Sequence, residues 1–220
     1  DGTFDDCQDL VKAMFNDTPF RDRHHLSAVN SINWARVMAQ VVYSFHAALH
    51  LGAPEKAVSF SVPTGNFGNV FAGYGAKQMG LPIKRLLVAS NANDILARFF
   101  YGGEMRLSGV VPTISPSMDI QVSSNFERLL FDMLGRDGNR VTETLKTFRD
   151  TGSFRIDKKL LEKVRETFDG ARYDDNQTSE VIRNVYDTTG MLLDPHSAIG
   201  VAAATSPEKR EKEGKRRGVL

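Results

Sequence analysis

The stretch from Ala57 to Ser90 constrains the fold more than any other part of the 220-residue chain. It reads AVSFSV, then TGNFGN, then VFAGYGAKQMG, then LPIKRLLVAS. The first and last segments are short, apolar and β-prone, while the third has the length of a helix and stops at Gly80. Strand, glycine-rich turn, helix and strand within about 30 residues make a βαβ unit, with parallel strands and a right-handed crossover. The expected class is α/β with a parallel sheet. Ligands of such sheets sit outside the carboxyl ends of the strands. Those ends carry two loops here, TGNFGN (64–69) and SNAND (90–94).

Residues Gly65, Asn66, Phe67, Gly68 and Asn69 allow two readings. One is a plain strand-to-helix turn. The other is an anion cradle, because backbone amides ahead of a helix N-terminus, with the positive end of its dipole behind them, suit a phosphate. Asn66 and Asn69 tolerate left-handed backbone angles and can donate from their side chains. The spacing is G-x-x-G, not G-x-G-x-x-G, and no acidic residue follows about twenty positions on to hold a ribose. The G-K-[ST] ending of a nucleotide P-loop is missing too.

NSINWAR (30–36) is a second candidate. Asn30 and Ser31 suit a helix N-cap, and Arg36, little more than a turn inside, can lean back over it. An ordinary cap with a salt bridge explains the same residues. The helix expected from Ser31 to Leu49 is apolar almost all round, which predicts burial, with Asn33, Arg36, Gln40 and Ser44 as one polar stripe. In DPHSAIG (194–200), His196 reads as a catalytic group or a structural hydrogen-bonder, and Ser197 as the N-cap of a small-residue helix.

Elsewhere, residues 7–15 read as a helix, NDTPFRDRHH as a polar connection and 101–125 as a long ordered loop. Ser124 and Glu127 form a capping-box pattern. Residues 127–172 read as an amphipathic helical insertion, TSEVIRNVYDTTG as a helix closed by Gly190, and 205–220 as a charged tail. Charged residues make up 25% of the chain and balance to +1, which supports neither a nucleic-acid nor a membrane role. Cys7 stands alone, so no disulfide framework is possible, and a reducing, cytoplasmic setting is expected. Asp5, Asp6, Asp119 and 91–94 have no spacing that defines a metal site. The opening DGTFDDCQDL has no initiator Met and reads as the interior of a longer sequence.

TFDDCQ, NSINWAR, SVPTGNFGNVFAGYGAKQMGLP, NDILARF, SPSMDIQVSSNFERL and LDPHSAIG, in that order, closely resemble the threonine synthases of the long bacterial and fungal form. The resemblance runs from residue 1 to about 204. It implies the C-terminal portion of a pyridoxal-phosphate enzyme of the tryptophan-synthase-β-like, fold type II superfamily, converting O-phosphohomoserine and water to threonine and phosphate. By that likeness, Gly65, Asn66, Phe67, Gly68 and Asn69 match the loop around the cofactor phosphate. Asn30, Ser31 and Arg36 match the N-S-x-x-x-x-R grip on the substrate phosphate, and Ser197 the hydroxyl beside the pyridine nitrogen.

Two departures from the family pattern stand out. The family's Schiff-base lysine belongs to a phenylalanine–lysine motif well upstream, and no such motif exists here; Lys77 and Lys84 do not fit the role. The basic tail also replaces the final strand of the family. The expectation is an incomplete sheet sandwich and a chain that is inactive by itself. Another fold type II lyase or dehydratase, or a noncatalytic phosphate-binding homologue, is the alternative.

Overall fold

The structure, a computed structural model, describes residues 4–27 and 33–206. Helices α1 (Phe4–Asn16), α2 (Thr18–His24) and α3 (Trp34–His50) precede β1 (Val58–Pro63), α4 (Gly68–Gln78), β2 (Ile83–Ser90), α5 (Ile95–Gly102) and β3 (Glu104–Arg106). A 3₁₀ turn at Pro116–Met118 leads to α6 (Phe126–Met133), α7 (Gly138–Thr151), β4 (Ser153–Arg155) and α8 (Lys158–Val164). Strand β5 (Phe168–Arg172), α9 (Asp175–Thr189) and α10 (Pro195–Thr205) complete the described chain.

The βαβ unit forms as its pattern requires. β1 and β2 are parallel, with Phe60 opposite Leu86 and Val62 opposite Val88. β5 joins the other side of β2, also parallel, in the order β1-β2-β5. β3 and β4 make a separate antiparallel ribbon. Because successive strand residues point to opposite faces, β2 serves two cores. Leu86 and Val88 join Phe67, Phe99, Phe100, Phe126 and Phe168 on one face, while Ala89 meets Ala171, Ile199 and Ala203 on the other. The second face is covered by α10, whose small residues allow close approach. An added Cβ on Gly200 would lie 3.0 Å from Pro63 Cδ.

Four sequence expectations change. First, NDTPFRDRHH contains α2, because Asp17 accepts the Phe20 amide at 3.1 Å and Pro19 lies in the first turn, where it needs no partner. Second, α3 is not buried all round. Only Val37 and Ala48 are fully enclosed, and Trp34, Met38, Val42, Tyr43 and Leu49 are exposed. The helix packs along the face that carries Val41 and Ser44 against the glycines of α4, leaving the opposite apolar face outward. Third, Ser124 does not cap α6; Asn125 takes the N-cap position without a side-chain cap bond. Fourth, the segment 127–172 is helical only in part, since it contributes β4 and ends in β5, a strand of the main sheet.

Candidate functional site

Gly65, Asn66, Phe67, Gly68 and Asn69 form the turn from β1 into α4, at the carboxyl end of the sheet. The residue that takes the left-handed conformation is neither a glycine nor an asparagine but Phe67, at φ 65°. That costs an L-residue about 1–2 kcal/mol. Its ring is fully buried, 5.6 Å from Phe126, 5.9 Å from Phe168 and 6.2 Å from Phe100 between centroids. Burying a phenylalanine contributes roughly 1.5–3 kcal/mol, enough to hold the turn in this shape. Thr64 completes it: its amide donates to Ala89 O at 3.0 Å and its Oγ1 accepts from the Phe67 amide at 3.1 Å.

A phenylalanine at the N-cap has no side-chain oxygen to offer its helix. The first-turn amides of α4, those of Gly68, Asn69 and Val70, lack intrahelical partners by geometry, and the Phe67 side chain makes no cap bond to them. With the helix dipole behind them they present positive charge to an anion. The Phe67 amide is engaged by Thr64 Oγ1, which leaves the amides of Gly68, Asn69 and Val70 as the first-turn donors of α4. No charged side chain lies between Thr64 and Val70 to repel an anion.

The turn is clamped from outside by residues that the motif does not contain. Asn66 Oδ1 accepts from Gln8 Nε2 at 3.1 Å and Ser124 Oγ at 3.3 Å. Asn66 O accepts from both the backbone amide and Nδ2 of Asn125, each at 3.1 Å. Gly65 is hemmed in by the same long loop, where an added Cβ would lie 2.9 Å from Ile120 Cδ1 and 3.1 Å from Met118 Cα. That loop is tied down in turn by Asp119, whose Oδ1 accepts from Asn91 at 2.7 Å, Asn93 at 2.9 Å and Thr113 Oγ1 at 2.7 Å. Asp119, Asn91 and Asn93, three of the polar groups without metal spacing, therefore form a hydrogen-bonded knot that ties the SNAND loop to the long loop packed on the glycine turn.

Of the second candidate, Asn30 and Ser31 lie outside the described residues. The cap of α3 is Asn33, whose Oδ1 accepts the Ala35 amide at 3.0 Å. Arg36 is exposed in the first turn. This end of α3 lies beside the glycine turn's helix, with the Trp34 ring 6.1 Å from that of Phe71 on α4. Ser197 is the third residue of α10, not its cap. Asp194 caps, accepting the His196 amide at 2.9 Å and the Ser197 amide at 3.1 Å. Hydrogen bonds from the Ser197 hydroxyl, then from the Ser197 and His196 amides, hold the Asp194 carboxyl below its ordinary range. His196 Nδ1 also lies 3.4 Å from Asp194 Oδ1, so this histidine helps to close the helix end. Lys77 donates to the carbonyl of Ile83, tying α4 to β2.

Among the described residues no cluster of histidine, cysteine or acidic side chains could hold a metal ion. No described helix is long and apolar enough to cross a membrane.

No protein-family model matches the chain. Individual relatives do. The threonine synthase of Pseudomonas aeruginosa is 56% identical over 204 residues, which is 93% of this chain and 44% of that enzyme. The crystal structure of a pyridoxal-phosphate-bound threonine synthase from Brucella melitensis superposes with a TM-score of 0.86 at 53% identity, covering 100% of this chain and 47% of that one. The yeast enzyme's structure gives 0.84 at 41% identity, over 99% of this chain and 45% of its own. The chain spans about half the length of the relatives it matches. By sequence over nearly all its residues, and by the fold that positions the glycine turn, it belongs with the threonine synthases.

Proposed function

We propose that this chain is the C-terminal portion of a pyridoxal-phosphate-dependent threonine synthase, which converts O-phosphohomoserine and water to threonine and phosphate. The observation that carries the reading is the uncapped N-terminus of α4, held open at the carboxyl end of β1 by a buried phenylalanine. A dianionic phosphate suits it: three amide donors, a helix dipole and no competing carboxylate. A further polar group lies at the same sheet edge, where Ser90 Oγ is buried at the end of β2 without a hydrogen-bond partner.

When bound, the cofactor supplies an electron sink that makes elimination of the substrate's phosphate feasible. The residues of this chain have separate duties in that chemistry. The amides of Gly68, Asn69 and Val70 hold the cofactor phosphate, while Gly65 and Asn66 shape the turn beside it. Ser197, hydrogen-bonded to Asp194 and one turn ahead of the Gly200 that lies against Pro63, would offer its hydroxyl to the pyridine nitrogen of the bound cofactor. Asn30, Ser31 and Arg36 take the substrate phosphate. Without a cofactor-anchoring lysine motif, the 220 residues alone are inactive on this reading.

Arg36→Ala tests it in a polypeptide of the relatives' length. The KM for O-phosphohomoserine rises at least tenfold, the loss of one charge-assisted contact, and cofactor affinity is unchanged. An unaltered KM assigns Arg36 to a surface salt bridge and sinks the substrate assignment.

A further inference from the structure

Asn125 and Arg128 lie outside every motif so far given a role, yet they join the two proposed phosphate-binding segments. Asn125 is 1% exposed and stands at the N-cap of α6 without capping it. Its amide side is turned instead to the glycine loop, where Nδ2 and the backbone amide both reach Asn66 O at 3.1 Å. Its Oδ1 accepts from Arg128 Nε at 3.0 Å. The guanidinium carbon of Arg128 then lies 5.4 Å from the centroid of the Trp34 ring, in the first turn of α3 and two residues before Arg36. One continuous path runs from the carbonyl of Asn66 through Asn125 and Arg128 to the ring of Trp34.

The residue types suit such a brace. A side-chain amide donates to a carbonyl from its nitrogen while its oxygen accepts from a guanidinium, so two separate atoms serve the two ends. Arginine supplies a planar group that stacks on an aromatic face while its edge donates a hydrogen bond, which lysine cannot do. Trp34 needs such a support, because half of its surface is open, and the face of α3 that packs on α4, with Val41 and Ser44, lies further along the helix. We infer that Arg128 is a positioning residue, fixing through Trp34 the distance between the first turn of α3 and the cofactor loop. It touches neither phosphate. The inference rests on the assignment of Arg36 and α3 to the substrate phosphate, and the test is arranged to separate the two.

In a polypeptide of the relatives' length, Arg128→Ala raises the KM for O-phosphohomoserine five- to tenfold, the size of one cation–π contact with its hydrogen bond. The dissociation constant for pyridoxal phosphate stays within twofold, since Asn125 still holds Asn66. Arg128→Lys does not restore the KM, Trp34→Leu reproduces the rise, and the double variant is no worse than either single one. Three results would overturn the inference: a KM within twofold in Arg128→Ala, full rescue by lysine, which would make charge alone responsible, or additive effects in the double variant. Thermal midpoints of all variants exclude simple unfolding as the cause. If Arg36→Ala raises the KM and Arg128→Ala does not, the brace fails and the substrate site stands. If Arg36→Ala is silent, the substrate site itself has failed.

Discussion

The N-termini of α4 and α3 are both offered to an anion under the proposed reading, and they are built in opposite ways. At α4 the cap is Phe67, which gives its helix no side-chain hydrogen bond but anchors the turn in a core of aromatic rings. Four further residues, Gln8, Thr64, Ser124 and Asn125, hold the turn by hydrogen bonds. At α3 the cap is Asn33, which satisfies its own helix, and the surrounding first turn is exposed. A loop fixed from the core outward keeps its donors aimed before any ligand arrives, so little ordering cost is left for binding. A helix end held through one half-exposed ring is set less firmly than that turn. The first suits a resident cofactor, the second a substrate that enters and leaves.

The largest expected effect breaks the anchor of the rigid site. Phe67→Ala removes a fully buried ring and should destabilise the chain by about 3–5 kcal/mol, read from urea denaturation midpoints at constant slope. Trp34→Ala at the other site should cost less than about 1 kcal/mol, since half of that ring is already in water. Equal losses at the two positions would mean that α3 is held as firmly as the glycine turn, and the contrast would disappear.

A smaller effect sharpens the same contrast without touching the core. Gly65→Ala forces a methyl toward Ile120 Cδ1 and the Met118 backbone, and overpacking of this kind costs about 1–3 kcal/mol. Pairing it with Ile120→Val should recover only part of the loss, because the Met118 Cα stays. Full recovery would place the constraint in one flexible side chain and not in the loop that closes over the turn.

The βαβ unit was legible because strand, turn and helix signals are local and agreed with one another. The glycine-rich segment was legible as the turn between β1 and α4 for the same reason. What could not be read was which atom each polar residue spends where. Ser124 followed by Glu127 matches a capping box, yet Ser124 bonds to Asn66, 58 residues away, and Asn125 passes over its own helix for that loop and Arg128. Asp119, Asn91 and Asn93 looked like unrelated loop residues until β2 and the 3₁₀ turn brought them together. The nearly all-round apolar character of α3 predicts burial that the structure does not show, because a pattern records how apolar a face is and not whether anything covers it. Phe67 carried a misleading signal of its own: a left-handed turn is written most often with Gly or Asn, and here a core contact overrides that preference.

The smallest expected effect comes from a third helix N-terminus, which shows what closing such a site entails. Asp194 caps α10 with a carboxylate, so that end already holds its anion. Asp194→Ala should cost about 1 kcal/mol at neutral pH, the usual value for a lost cap. The Ser197 hydroxyl first, then the Ser197 and His196 amides, keep the Asp194 carboxyl below its ordinary value. A lowered folded value means that the charge-dependent share of this stability is complete above the unfolded value of about 3.9. It is lost as pH falls through the lower, folded one. Because the carboxylate is largely solvated, that share is small and screened by salt. The stability curves of the wild type and Asp194→Ala should therefore run parallel from pH 5 to 8 and approach each other below about 3.9. Asp194→Asn, which keeps an acceptor without the charge, should lie between them and lack the acid limb. Curves that superimpose throughout would show that α10 is not closed by Asp194. Its N-terminus would then be as open as that of α4, and an uncapped helix end would no longer mark the cofactor site.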